Sequence, residues 1–375
     1  MKERELSILF FLNSLSLGGA ERATVNLANY WAGKNWEVTI VTLDSKSLDF
    51  YEIHPSIKRI ALDISGNSSN CINAIFKNIY RIFVLRRLLK QIKPDIALAM
   101  MSTANILLAL ASIYLKKIIT VGSERTFPPK VPLGRIWESL RTTFYNCLSV
   151  VVALNQESAL WLAQNTKSRK INIIPNSISF PLPSTEPHID ISIIPKGKKK
   201  LISVGRLSEE KQFDILISVF QKLIFDFPDW VLVILGEGNI RYQLEKQIKS
   251  LKIENHVFLP GNTGNIGEWY ASADIYVLTS RYEGFPNSLV EAMAYGLPVI
   301  SFDCDTGPRN IIRNGIDGLL VQAENVDELV KALQRLMKNE NLRKRFSKRA
   351  TEVRERYSQE KILCMWEELF DDLIE

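Results

Sequence analysis

Residues 275–301 read IYVLTSRYEGFPNSLVEAMAYGLPVIS, and the fold is read outward from them. The apolar run Ile275–Leu278 predicts a buried strand, and Pro298–Ser301 predicts another. Between them Gly284 and Pro286 break the chain, and a helical pattern begins near Asn287. Strand, loop, helix and strand in that order make a parallel crossover unit. Asn287 or Ser288 is a natural N-cap, and the free N–H groups of a first helical turn attract anions. Glu283 falls in the loop and Glu291 in the first turns of the helix, so two carboxylates flank one break. An ordinary capped helix with a charged entry loop accounts for the stretch equally well.

The same alternation runs through the chain. Strands are predicted at Ser7–Leu12, Glu37–Thr42, Ile96–Met101, Ile118–Gly122, Val150–Ala153 and Ile171–Ile174, then at Lys200–Val204, Val231–Leu235 and Val257–Leu259. Continuous apolar strands between helices indicate parallel sheets covered on both faces. The 375 residues therefore read as two doubly wound α/β domains. Pro175, Pro181, Pro183, Pro187 and Pro195, followed by Lys198-Lys199-Lys200, predict a linker over residues 179–199 between a first domain, 1–178, and a second beginning at 200. Ligands of open α/β sheets bind beyond the carboxyl ends of the strands, so two such domains facing each other would form a cleft there.

Composition narrows the class. Apolar residues make up 46% and charged residues 23%, the balance of a globular protein. The four cysteines, Cys71, Cys147, Cys304 and Cys364, are widely spaced, and His54, His188 and His256 share no motif spacing, so neither a disulfide framework nor a metal centre is expected. The start, Met-Lys-Glu-Arg-Glu and a short apolar run, lacks a secretory leader pattern, which points to the cytoplasm. The uncharged stretch Ile96–Leu115 changes composition at Ser102 and reads as a strand and a buried helix rather than a membrane span. Of the net +6, residues 1–178 carry 22 Lys/Arg against 12 Asp/Glu and the remainder 25 against 29. No acid stands between Asp63 and Asp95, where Lys77, Arg81, Arg86, Arg87, Lys90 and Lys93 lie. That asymmetry suits an anionic membrane surface or a phosphorylated acceptor, or simply a solvated helix; no nucleic-acid-binding motif accompanies it.

Further motifs could carry chemistry. Val204-Gly205-Arg206-Leu207 is followed by Glu209-Glu210-Lys211, placing two cations just past a strand, where they suit a diphosphate. Leu17-Gly18-Gly19-Ala20-Glu21-Arg22 follows the first strand, and paired glycines let backbone N–H groups approach a phosphate or sugar. It is not G-x-G-x-x-G, which argues against a nicotinamide oxidoreductase. Gly236-Glu237-Gly238 is a weaker example of the same kind. Asp303-Cys304-Asp305 matches the D-x-D pattern of some metal-dependent transferases, a match too short to weigh much.

With these residues assembled, the chain resembles the retaining GT-B glycosyltransferases of the family called GT4 along essentially its whole length. Glu283 to Glu291 matches the family's Glu-x7-Glu, Arg206 and Lys211 its Gly-Arg…Lys pair, and Gly18-Gly19 its glycine pair. Gly261 after Phe258-Leu259-Pro260, Gly307-Pro308 and Asn314-Gly315-Ile-Asp317-Gly318-Leu319-Leu320-Val321 match as well. The resemblance implies two Rossmann-like domains, with 200–357 binding a nucleotide-sugar donor and 1–178 an acceptor, and a return helix, 358–375, packing on the first domain. Arg206 and Lys211 would hold the donor diphosphate, Glu291 the ribose, and Glu283 the transferred sugar, helped by backbone groups of Gly284, Phe285, Pro286 and Asn287, with Ser288 and Leu289 beside them. The backbone near Asn262 and Thr263 would meet the base, Gly236 would line the same donor site, and Gly19 would close over the phosphates. Such enzymes need no metal and no cofactor. The expected partners are a UDP-sugar and a saccharide, often linked to a polyprenyl diphosphate, with peripheral membrane contact.

Two positions depart from the family. Ser123-Glu124-Arg125-Thr126 stands where many members carry a sugar-facing histidine, which makes Glu124 and Arg125 acceptor-side candidates. Asn310 replaces the usual acid after Gly-Pro. A GT-B nucleotide-sugar epimerase is the main alternative, though the histidine shortage disfavours it; an inactive sugar-nucleotide binding module would not need the intact Glu283, Glu291, Arg206 and Lys211.

Overall fold

A computed structural model of the chain describes residues 5–66 and 71–374, without the side chains of Cys71 and Ile72. The leader reading of Met1–Arg4 and the thiol of Cys71 lie outside the described residues. The chain divides into two compact units, Met1–Asn176 with Ile362–Glu375, and Ser177–Lys361.

The first unit is built on β1 (Ser7–Leu12), β2 (Glu37–Thr42), β3 (Lys58–Ala61), β4 (Ile96–Met100), β5 (Ile119–Ser123), β6 (Val150–Ala153) and β7 (Ile171–Ile173), in the order β3-β2-β1-β4-β5-β6-β7. All pairs are parallel. Side chains alternate between the faces. Ile8, Phe10, Ile40, Ile96 and Leu98 enter one core, and Leu9, Phe11, Val41, Ala97 and Ala99 the other. Both faces are covered by helices, so the central strands are largely apolar.

The second unit is built on β8 (Lys199–Val204), β9 (Trp230–Leu235), β10 (Val257–Gly261), β11 (Ile275–Leu278), β12 (Val299–Asp303) and β13 (Gly318–Gln322), in the order β10-β9-β8-β11-β12-β13, again all parallel. The strand order reverses between β8 and β11, and loops that leave such neighbours in opposite directions open a crevice between them.

The segment expected as a linker is part of the second unit. Ile178 and Ile194 are buried, with Leu182, Ile189 and Ile191 packed on the same core. Ile178 N–H donates to Tyr357 O at 2.9 Å and Thr185 N–H to Gly264 O at 3.1 Å. Apolar side chains between the prolines gain more from burial than a free tether would leave them. The expected membrane-span candidate is β4 followed by the helix Ser102–Ala111. Among the described residues no helix is long and apolar enough to cross a membrane.

The helix Gln359–Ile374 returns the chain to the first unit from Ile362 onward. Ile362, Leu363, Trp366, Leu369 and Phe370 recur at three- and four-residue spacing and fill the first core. Trp31 packs 5.3 Å from the Phe370 ring, and Phe370 lies 5.8 Å from Trp366. Glu367 accepts from Lys34 Nζ at 3.0 Å. Trp366→Ala should therefore destabilise the first unit by about 3–5 kcal/mol, measured by urea unfolding. A loss under about 1 kcal/mol, the size expected at an exposed position, would show that this helix does not complete the core.

Candidate active site

The two sides of the β8–β11 crevice supply the charged residues. β8 ends at Val204 and the chain turns through Gly205 and Arg206 into the short 3-10 turn Glu209–Lys211. Gln212 follows with a left-handed backbone, φ 51°, and starts the helix Phe213–Leu223. β11 ends at Leu278 and leads through Thr279, Ser280 and Glu283 to the helix Asn287–Ala294. Thr279 Oγ1 donates to Lys211 O at 2.9 Å, and Arg281 N–H donates to Glu210 O at 2.8 Å, so the two loops are stitched together.

Their centre is an ion pair. Lys211 Nζ stands 2.6 Å from Glu283 Oε1, and Ser280 Oγ donates to the same oxygen at 2.6 Å. The Thr306 hydroxyl donates to the Glu283 backbone carbonyl. Gly307, at φ 95°, passes so close that a Cβ there would lie 2.7 Å from Pro286 Cδ, so only glycine fits. Gly236, at φ 138°, is constrained likewise: a Cβ would lie 2.0 Å from Gly205 O. Its N–H donates to Gly261 O at 2.9 Å, which ties the ends of β9 and β10 together beside Gly205. Arg206 is exposed at the same edge.

Glu291 is buried in the helix, with Tyr270 OH donating to its Oε2 at 3.2 Å. Tyr276 OH lies 2.8 Å from Ser288 Oγ. Burial pushes the Tyr276 hydroxyl up. The helix cap differs from expectation. Pro286, not Asn287 or Ser288, holds the N-cap position, and no side chain caps the helix. Asn287 and Ser288 are its first helical residues, so the hydroxyl of Ser288 is used against Tyr276 instead. The Leu289 side chain is in the core, and its N–H donates to Pro286 O at 3.0 Å, so it has neither group to offer a donor sugar. Phe285 is half-buried against Tyr357, 5.6 Å between ring centroids. Asn262 is exposed after β10, and Thr263 Oγ1 donates to Asn265 Oδ1. Asn310 Oδ1 accepts from Gly307 N–H at 3.4 Å. In the D-x-D triplet, Asp303 is paired with Arg309 at 2.9 Å and Cys304 is buried. Among the described residues no three His, Cys, Asp or Glu side chains are grouped as metal ligands.

In the first unit Gly18 precedes the helix Gly19–Gly33, which no side chain caps. Tyr51 OH donates to Gly18 O at 3.0 Å, a clamp with no sequence signal. The acceptor-side candidates lie elsewhere than expected. Glu124 N–H donates to Val152 O, which continues the strand and turns the side chain inward. Its carboxylate is buried and accepts from Ser102 Oγ at 2.7 Å and from Tyr145 OH. Burial raises its pKa against the pull of those hydrogen bonds. Arg125 is also buried; it donates to Asn176 Oδ1 at 2.6 Å and sits 6.0 Å from the Trp366 ring. Burial lowers its guanidinium to about 10. Both side chains are buried among residues of their own unit. The polar residues that sequence reasoning missed, Ser280, Thr306 and Tyr270, belong to no motif and were found only by their contacts.

Two family descriptions match. Residues 17–180 match "Glycosyltransferase Family 4" and residues 184–353 match "Glycosyl transferases group 1". An uncharacterized glycosyltransferase of Haemophilus influenzae is 30% identical over 366 residues, 95% of this chain and 97% of that protein. A Campylobacter jejuni enzyme, GalNAc-alpha-(1->4)-GalNAc-alpha-(1->3)-diNAcBac-PP-undecaprenol alpha-1,4-N-acetyl-D-galactosaminyltransferase, is 28% identical over 90% of this chain and 91% of its own. The crystal structure of Anabaena Alr3699/HepE in complex with UDP superposes with a TM-score of 0.77 at 19% identity, covering 98% of this chain and 100% of that one. The chain belongs to the GT-B glycosyltransferases of the GT4 type. It is thus an enzyme of glycosyl transfer, with lipid-linked acceptors among its relatives.

Burial, with the Glu283 carboxylate nearby, pushes the Cys304 thiol up to about 12. Cys147 and Cys364 are exposed. Iodoacetamide at neutral pH should therefore label Cys147 and Cys364 and spare Cys304 until the protein unfolds, read by peptide mass spectrometry. Labelling of Cys304 in the folded protein would mean that the floor beneath Glu283 opens.

Proposed function

We propose that the protein transfers a hexose or N-acetylhexosamine from a UDP-sugar, with retention of anomeric configuration and without a metal, to a saccharide carried on a polyprenyl diphosphate. The observation that carries this reading is the Lys211–Glu283 pair set at the crevice between β8 and β11, with Arg206 exposed just past the end of β8. In glycosyl transfer the bond from the sugar to the diphosphate breaks as an acceptor oxygen bonds to the same carbon, and negative charge builds on the departing diphosphate. Arg206, Lys211 and the uncapped start of the helix Asn287–Ala294 are suited to neutralise that charge, the work a metal does elsewhere. Glu291, braced by Tyr270, suits a ribose, and Glu283, held by Ser280 and Thr306, suits hydroxyls of the sugar.

The donor is supported by the Anabaena protein's complex with UDP, and the acceptor by the Campylobacter enzyme's named undecaprenol substrate. The first unit takes the acceptor, and the protein works at the cytoplasmic face of a membrane. The net charge of residues 1–178, with 22 Lys/Arg against 12 Asp/Glu, supports that placement.

Arg206→Ala and Lys211→Ala should each lower turnover roughly 10²- to 10³-fold with the fold retained. Near-normal rates in a variant with an unchanged circular dichroism spectrum would remove that residue from the site. Turnover should also survive excess EDTA; a loss that added Mg²⁺ restores would replace the metal-free reading. Thermal-shift screening of nucleotide sugars should single out a uridine nucleotide, and stabilisation by another base alone would change the donor.

A further inference from the structure

The helix Cys71–Ile92 turns one side into the first unit through Leu85 and Leu89. On its opposite side Ile75, Phe76, Ile79, Tyr80 and Phe83 are 53–67% exposed. Their spacing of one, three and four residues places them on a single stripe along the helix. Exposed large apolar residues scattered singly are ordinary, but five within three turns make a patch. Arg87 and Lys90 continue the same stripe through the last turns, both exposed, and Lys93 follows the helix end. Arg86 points the other way: its Nη1 donates to Ala111 O at 2.8 Å and Ile113 O at 2.6 Å. Those two bonds pin a second segment to the helix. This segment carries Tyr114, 86% exposed, and then the exposed Lys116 and Lys117.

We propose that this face docks the protein on an anionic lipid bilayer, its aromatic and aliphatic side chains entering the headgroup layer while the lysines and arginines meet the lipid phosphates. The inference rests on the membrane-borne acceptor proposed above and names the surface that reaches it. An apolar stripe that runs into cations is the pattern of helices lying in a membrane interface. Aromatic side chains such as Tyr80 and Tyr114 suit its half-wet environment. Charge selects lipid over a second copy of the chain. The sequence between Asp63 and Asp95 has no acidic residue, so a copy would oppose cations to cations with no carboxylate on the helix to pair them.

The two components separate experimentally. Cation attraction is screened within a Debye length, whereas apolar insertion is not. The full chain is sedimented with phosphatidylcholine vesicles with and without phosphatidylglycerol, at low and high salt. The wild type should bind the anionic vesicles strongly at low salt and retain a weaker binding at high salt. Phe76→Ser/Ile79→Ser/Phe83→Ser should lose about tenfold at both salts. Arg87→Glu/Lys90→Glu should lose at least as much at low salt only, since each cation near an anionic leaflet is worth about fivefold. Phe225→Ser, another exposed phenylalanine in the second unit, should bind as wild type. The single variants Phe76→Ser and Phe83→Ser serve if the triple variant fails to fold, and the thermal shift with UDP should be unchanged throughout. Wild-type binding that the helix variants leave intact would overturn this surface while keeping the membrane reading. Absence of wild-type binding to anionic vesicles would overturn both. A wild-type dimer that the triple variant dissociates would assign the face to a second copy.

Discussion

Lys211 and Glu283 come from opposite sides of the point where the second sheet changes direction, and the ammonium and carboxylate meet at 2.6 Å. Both side chains are largely removed from water, 19% and 10% exposed. A pair so placed is stable only if its remaining hydrogen-bonding capacity is met. Ser280 meets part of it directly. Thr279, Arg281 and Thr306 hold the loops from which the two charges project. The helix Asn287–Ala294 starts from the same loop, so the position of Glu291 is inherited from this arrangement. Glycine at Gly236 and Gly307 is the steric condition for it, because any side chain there would push the neighbouring loop away.

The first unit has the same sheet reversal, between β1 and β4, but spends its polar residues differently. Where the second unit leaves a carboxylate at the mouth of a crevice, the first buries Glu124 among Ser102 and Tyr145. A buried carboxyl group of this kind specifies packing, since each neighbour must keep its place for its hydrogen bonds to be made. The helix Cys71–Ile92 instead exposes an apolar stripe that ends in the cations Arg87 and Lys90.

How far the sequence was legible follows from these differences. Strands covered on both faces announce themselves as apolar runs, and β1, β4 and β11 are read almost to the residue. The edge strands β3 and β13 are missed, because one flank faces out and Lys58-Arg59 and Gln322 interrupt the pattern. Proline density suggested a tether over 179–199, but Ile178, Ile189, Ile191 and Ile194 outweighed it. The loop carrying Glu283 was visible through its Gly and Pro breaks, whereas Ser280, Thr306 and Tyr270 were not. Their significance is only that they touch Glu283 and Glu291. Glu124 and Arg125 follow the end of β5, where the charged residue types gave no sign that both side chains are buried.

The return of Gln359–Ile374 to the first unit has a consequence for how the protein is made. Chains emerge from the ribosome N-terminus first, and domains usually close as they appear. Here the first core, which holds Trp31 and Phe10, is completed only by Trp366 and Phe370. The whole of Ser177–Lys361 is synthesised in between. Until then an aromatic face of the nascent chain stays uncovered, a natural target for chaperones that bind apolar surface. A ribosome that stalls anywhere in the second unit leaves the earlier half unfinished as well, because the helix that completes its core is not yet made.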